Sequence, residues 1–392
     1  MRPAPVLSSG RLSHSRMLKG CLVVSPTVAE IDVAAFAHNV RSVRACLSSS
    51  CDLMAVVKAD AYGHGAVPLA LVALREGAAW LAVARCQEGM NLRHHGIDAP
   101  ILVLGAVCPE EIVSLLAYRL TPVVSSSDEV HWLEREAGRL GVCPAIHVKI
   151  DTGMGRLGVM PDQVRQLLDC LDGCPHLSVE GLMTHLATAD SADAQTVRLQ
   201  LSRFCHVVQT CTNRSCTPRY VHAANSAALY RYPESHGTLV RVGLALYGSH
   251  PFDAPAAAAL QPVLTWKTRL VRIQEMPTGA GISYGHTFMT SRASRIGTLS
   301  VGYADGLCRK LSNTGEVLVQ GQRAPLVGQI TMDMCMIDLT DIPSARVGDE
   351  VVLIGVQGSE CLTADEMAWR CGCIPYEVFC AIGPRVSRRY IS

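Results

Sequence analysis

The chain has 392 residues, 49% hydrophobic and 18% charged, with a formal net charge of +1; it is too apolar for disorder and lacks the basic excess that marks nucleic-acid or anionic-membrane binding. Its length favours two domains, or one large α/β barrel with an appendage. Seventeen cysteines, an odd number, would mispair in an oxidising compartment and point to the cytoplasm, with the thiols mostly buried as small hydrophobes.

Residues 1–26 are expected to form an N-terminal extension, disordered or an artefact of counting from Met1 instead of Met17. Arg2, Arg11, Arg16 and Lys19 precede only the apolar patch "CLVV", shorter than the roughly 7–15 residues of a secretory core. No uncharged apolar run of about 18 residues occurs elsewhere, so no transmembrane helix is expected. From Thr27 the chain opens with "TVAEID" and a helix capped by Asp32, with Phe36, Val40, Val43 and Leu47 at helical spacing. Eight strand candidates follow: "LMAVVK", "WLAVAR", "PILVLG", "LTPVV", "AIHVKI", "LSVEGLM", "RYVHAA" and "LVRVGL". Most lead into helix-length segments such as 66–77, 109–118, 128–140, 161–171 and 192–211. This alternation matches a closed (β/α)8 barrel over residues 27–257 better than an open doubly wound sheet, since no GxGxxG follows the first strands. After the Pro/Ala-rich "PFDAPAAAALQP", alternating runs such as "TWKTRLVRI" and "DEVVLIG" predict a mostly-β domain over residues 258–392.

A barrel places its active site at the C-terminal ends of its strands. Lys58 closes the first of the eight strands, and on its own would be a snorkelling strand-end lysine. Arg156 follows the fifth strand, His185 closes the sixth, Asn225 and Ser226 follow the seventh, and Arg241 stands on the eighth. Singly these read as a core histidine, a turn and packing arginines. Together on one rim, an amine beside hydroxyls and backbone amides able to hold phosphate suits a Schiff base with pyridoxal phosphate. Tyr62 reaches that phosphate if Gly63 and Gly65 let the loop fold back. A sugar-phosphate aldolase would also use a barrel lysine. No metal is expected: no cysteine pair has CxxC spacing, and "CLDGC" and "CGC" lack histidines at zinc-site spacing.

"AVVKADAYGHG", "KIDTGMGRLG", "THLATAD", "HAANSA", "VRVGLALYG", "SYGHTF", "VGYADG", "GQITMDM" and "IPYEV" occur in the order found in alanine racemases, and the chain from about Thr27 to its end resembles that family of fold-type III pyridoxal-phosphate enzymes. The resemblance implies that Lys58 carries the cofactor, with Tyr62, Ser226, Tyr376 and the backbone at Asn225, Gly243 and Leu244 on its phosphate. It implies further that His185 packs on the pyridine ring, Arg241 faces the ring nitrogen, and Arg156 lies near the phenolic oxygen and the substrate carboxylate. Lys149 matches a position the family often carbamylates. Tyr284 resembles the second catalytic base, contributed by the partner subunit of a head-to-tail homodimer. Met332 and Asp333 would lie near the substrate carboxylate, and Tyr303 would narrow the entrance. Thr331 and Ser387 stand where the family often has cysteine and proline, and "VGYADG" runs on into "LCRKLSN". The expected activity is interconversion of L- and D-alanine for peptidoglycan synthesis. The rivals are a serine-type or broader racemase, a fold-type III decarboxylase, which needs an acid where Arg241 stands, and a non-catalytic cofactor carrier.

Overall fold

The computed structural model describes residues 25–213, 218–249 and 260–392. Residues 1–24 of the expected extension and residues 250–259, where the expected domain boundary falls, lie outside the described residues.

Eight parallel strands form the first unit: β2 (Asp52–Val56), β3 (Trp80–Val83), β4 (Ile101–Val103), β5 (Thr121–Val124), β6 (Ala145–Lys149), β7 (Ser178–Met183), β8 (Tyr220–His222) and β9 (Leu239–Val242), with β1 (Val28–Asp32) preceding them. They pair in sequence from β2 to β8, and β9 pairs β2. The remaining seam is closed by Thr238 N–H donating to Val221 O at 3.0 Å and Arg241 N–H to Ala224 O at 3.1 Å. Helices pack outside, so the strands are covered on both faces and read as continuous apolar runs; β3, β4 and β5 are buried throughout. The helix Val33–Ala45 starts where expected, with Asp32 Oδ1 accepting from Ala35 N–H at 2.8 Å. It buries Phe36, Val40 and Val43, while Leu47 falls beyond its end.

The second unit is a nine-stranded sheet with a small hairpin. Its spine is β10 (Leu264–Met276), followed by the hairpin β11 (Gly281–Ile282) and β12 (Phe288–Met289), then β13 (Ser294–Leu299), β14 (Glu316–Val319), β15 (Gln322–Pro325), β16 (Cys335–Asp338), β17 (Glu350–Gln357), β18 (Glu360–Leu362) and β19 (Ser387–Ile391). One feature departs from the sequence reading. The opening strand β1, grouped there with the barrel, pairs antiparallel with β10 and parallel with β19, so the second sheet is built from both ends of the described chain. Two helices, Ala364–Cys371 and Pro375–Ala381, interrupt the β pattern. The first is capped by Thr363 Oγ1, which accepts from Glu366 N–H at 3.0 Å. No helix among the described residues is long and apolar enough to cross a membrane.

Candidate active site

Beyond Lys58, four consecutive residues, Ala59, Asp60, Ala61 and Tyr62, have φ of 52°, 53°, 53° and 52°. A left-handed turn of L-residues costs roughly 1–2 kcal/mol per residue, so the surroundings must hold it. Glu88 accepts from Ala59 N–H at 2.6 Å, Ala84 N–H at 2.7 Å and Arg85 N–H at 3.0 Å. Asp60 Oδ1 accepts from Ala66 N–H at 2.7 Å. From the second unit, Arg388 Nε donates to Gly63 O at 2.9 Å and Tyr390 Oη to His64 O at 3.2 Å. Gly63 must be glycine, because its φ is +77° and a Cβ there would stand 2.6 Å from Phe379 O. Arg388 also donates to Gly383 O, Val386 O and Ile382 O. Arg388→Ala is therefore expected to lower stability by about 2 kcal/mol in urea unfolding and to loosen the lysine loop; an unchanged unfolding midpoint would show that the loop holds itself.

The turn brings the buried Tyr62 and the half-buried Lys58 onto a cavity of about 470 Å³ at the C-terminal rim of the barrel. Lys149, Arg156, His185, Asn225, Ser226, Arg241, Gly243, Leu244 and Tyr376 line the same cavity, with no carboxylate among the described residues that line it. Four cationic side chains thus crowd one space. Burial, then the charge of Arg156, lowers the Lys58 ammonium pKa. Burial, then Arg241 and Arg156, lowers Lys149 to about 8. Burial lowers Arg241 to about 10 and, with Arg241 as the next largest influence, His185 to about 3.

At one end, Ser226 Oγ accepts from Gly243 N–H at 3.0 Å and Ala245 N–H at 3.4 Å. A Cβ on Gly243 would stand 2.4 Å from Tyr62 Oη. Arg241 donates to Thr184 O at 2.8 Å, to the carbonyls of His222 and Ala223 at 3.0 and 3.1 Å, and to His185 Nδ1 at 3.3 Å. Arg156 sits on a loop organised by Asp151, whose carboxylate accepts from the amides of Gly153, Met154, Gly155 and Arg156 at 2.8–3.0 Å. Burial alone would raise the Asp151 pKa, but these four bonds more than offset it and hold it below its usual value. Asp151 and Glu88 escaped the sequence reading; the glycines of "DTGMGRLG" are the signal that a backbone-binding acid was needed there.

Burial keeps His185 neutral, and also His64, whose pKa falls to about 4. With folded-state pKa values below the unfolded value of about 6.5, the unfolded chain binds more protons as pH falls. These histidines contribute stability fully above about pH 6.5 and lose it progressively on acidification. The cofactor-free protein is accordingly expected to melt at a lower temperature at pH 5 than at pH 7.5. Equal melting temperatures would contradict this.

Within one chain the remaining expected residues do not reach this cavity. Tyr284 lies on a 3-10 turn, 74% exposed, beside a separate cleft lined by Thr331, Met334 and Met336. Tyr303 and Met332 are exposed, and Asp333 pairs with Arg385 at 2.8 Å. Tyr303 N–H donates to Thr331 O and Ala304 N–H to Met332 O, both at 3.0 Å, so these residues form one surface patch.

Residues 31–251 match the family model described as alanine racemase, N-terminal domain, and residues 263–390 match alanine racemase, C-terminal domain. The chain is 46% identical to an alanine racemase of Symbiobacterium thermophilum over 93% of its length and 97% of that protein. It is 43% identical to one of Halothermothrix orenii, covering 94% and 97%. Among solved structures, alanine racemase of Clostridium difficile superposes with a TM-score of 0.88 at 34% identity, covering 94% of this chain and 96% of that one. The Bacillus anthracis enzyme with bound L-Ala-P gives 0.87 at 37% identity over the same shares. With both domains matched in order and relatives aligned nearly end to end, the chain belongs to the alanine racemase family.

Proposed function

We propose that this protein interconverts L- and D-alanine with pyridoxal 5'-phosphate, as a cytoplasmic head-to-tail homodimer supplying D-alanine for peptidoglycan synthesis. The barrel would end near residue 257 and the second domain would bring the second base. The observation that carries this reading is one cavity shared by Lys58, Lys149, Arg156 and Arg241, with no acid among the described residues that line it. That donor set fits a phosphorylated, anionic cofactor. Lys58 would hold it covalently. The hydroxyls of Tyr62, Ser226 and Tyr376 and the backbone at Asn225, Gly243 and Leu244 would hold its phosphate, with His185 along the ring and Arg241 at the ring nitrogen.

Bound there, the cofactor would withdraw the electron pair left behind when the substrate loses its α-proton. The chain's own groups do the rest. Lys58 Nζ, made less basic by burial and by Arg156, takes or returns a proton on one face. The partner subunit's Tyr284 does so on the other through Oη, and its Met332 and Asp333 border the substrate carboxylate, with Tyr303 closing the entrance to larger side chains. Arg156 orients the carboxylate. Arg241 remains cationic and donates to the unprotonated His185 Nδ1. Beside a bound cofactor its charge would disfavour a proton on the ring nitrogen, which would weaken electron withdrawal and suppress side reactions such as transamination.

With its pKa near 8, Lys149 has enough neutral amine near physiological pH to add carbon dioxide. The carbamate anion would then orient Arg156. A carbamate resonance in ¹³C-bicarbonate NMR, absent from Lys149→Ala, tests this. Incubation with L-alanine in deuterated water tests the main reading, with α-deuterated D-alanine expected. Carbon dioxide release would indicate a decarboxylase, and no turnover a non-catalytic binder. Faster turnover of serine or larger amino acids would indicate the broader racemase.

A further inference from the structure

Arg241 is 4% exposed and has no carboxylate in ion-pair contact among the described residues, yet its guanidinium must stay charged in the barrel core. On the side away from the cavity it begins a line of buried groups. Its Nη1 donates to His222 Nδ1 at 3.0 Å, and His222 Nε2 lies 2.9 Å from His147 Nδ1. His147 Nε2 has no hydrogen-bond partner and lies 3.9 Å from Glu180 Oε2, whose side chain is 23% exposed. Both histidines are fully buried.

The proton positions follow from one fact: a guanidinium only donates. His222 Nδ1 must therefore be the acceptor, so the His222 proton is on Nε2. It is donated to His147 Nδ1, which leaves the His147 proton on Nε2, facing the Glu180 carboxylate. Every N–H in the line points away from Arg241, and every lone pair points toward it.

Resting on the cofactor reading above, we propose that Glu180 is the remote counter-ion of Arg241, acting through His147 and His222 as positioning residues that fix the charge and orientation of the guanidinium at the ring nitrogen. The His147 ring is held in place for this task. A Cβ on Gly181 would come within 2.7 Å of it, and Trp80 packs on it with ring centroids 5.2 Å apart.

Two measurements test the proposal. In protein with ¹⁵N-labelled histidine, without added cofactor, His147 and His222 are expected as neutral Nε2–H forms at pH 7.5, assigned by His147→Gln and His222→Gln. A proton on Nδ1 of either, or a cationic ring, overturns the relay whatever the cofactor. In the cofactor-loaded enzyme, Glu180→Gln is expected to lower kcat about 10-fold, with KM within about 2-fold and a shifted visible absorption band, and Glu180→Asp to recover part of both. An unshifted band with unchanged kcat overturns the counter-ion role. A wild-type protein that binds no pyridoxal phosphate overturns the cofactor reading instead and leaves the tautomer result standing.

Discussion

Lys58→Ala is expected to lower racemisation by about 10⁴-fold or more while leaving the fold intact. Lys58 is asked to do two things, to hold the cofactor and to exchange a proton at one face of the α-carbon, and alanine does neither. The left-handed turn beside it is secured by Glu88, Asp60 and Arg388 and makes no use of the lysine side chain. Removing one of four crowded cations relieves repulsion, so the melting temperature of the cofactor-free variant should stay level or rise. Small primary amines added to the variant should restore part of the activity, because they replace the missing nitrogen. A variant that keeps more than about a tenth of wild-type turnover would mean that another base serves this face.

The second large effect is at Tyr284. In a single chain this side chain is 74% exposed and clear of the lysine cavity, so Tyr284→Phe should not disturb folding or cofactor binding. It should nonetheless cut racemisation by about 10²–10⁴-fold, the usual worth of a positioned proton donor or acceptor. The loss should also be one-sided. Deuterium exchange at the α-carbon should persist with one enantiomer, served by Lys58, and collapse with the other. Equal loss for both enantiomers would argue that Tyr284 only shapes the pocket.

The barrel was legible because each of its strands is a short apolar run buried on both faces, and the helices between them announce themselves by spacing and caps such as Asp32. The rim residues followed from the rule that barrel chemistry sits at strand ends, and Lys58, His185 and Arg241 do share one cavity. Three things were not legible. The pairing of β1 with β19 joins segments more than 350 residues apart, and nothing local in "TVAEID" chooses between a barrel and a second sheet. The left-handed turn after Lys58 is built from alanines, an aspartate and a tyrosine that ordinarily favour right-handed helix or turn; it exists because Glu88 and Arg388 satisfy its backbone from elsewhere. The interior line from Arg241 to Glu180 is spread over four strands, and in sequence each member looks like an ordinary strand residue. Tyr284 is a different case: its motif was readable, but within one chain it lines a cleft separate from the lysine cavity.

A site completed by two subunits takes its amine from one and its phenol from the other. Mixing the two inactive variants, Lys58→Ala and Tyr284→Phe, under conditions that exchange subunits measures this directly. Random mixing gives heterodimers in which one site is intact and the other lacks both groups, so activity should recover to about a quarter of wild type. If the mixture stays as inactive as its components after exchange has been verified, the amine and the phenol do not come from different chains, and the two-subunit mechanism is wrong.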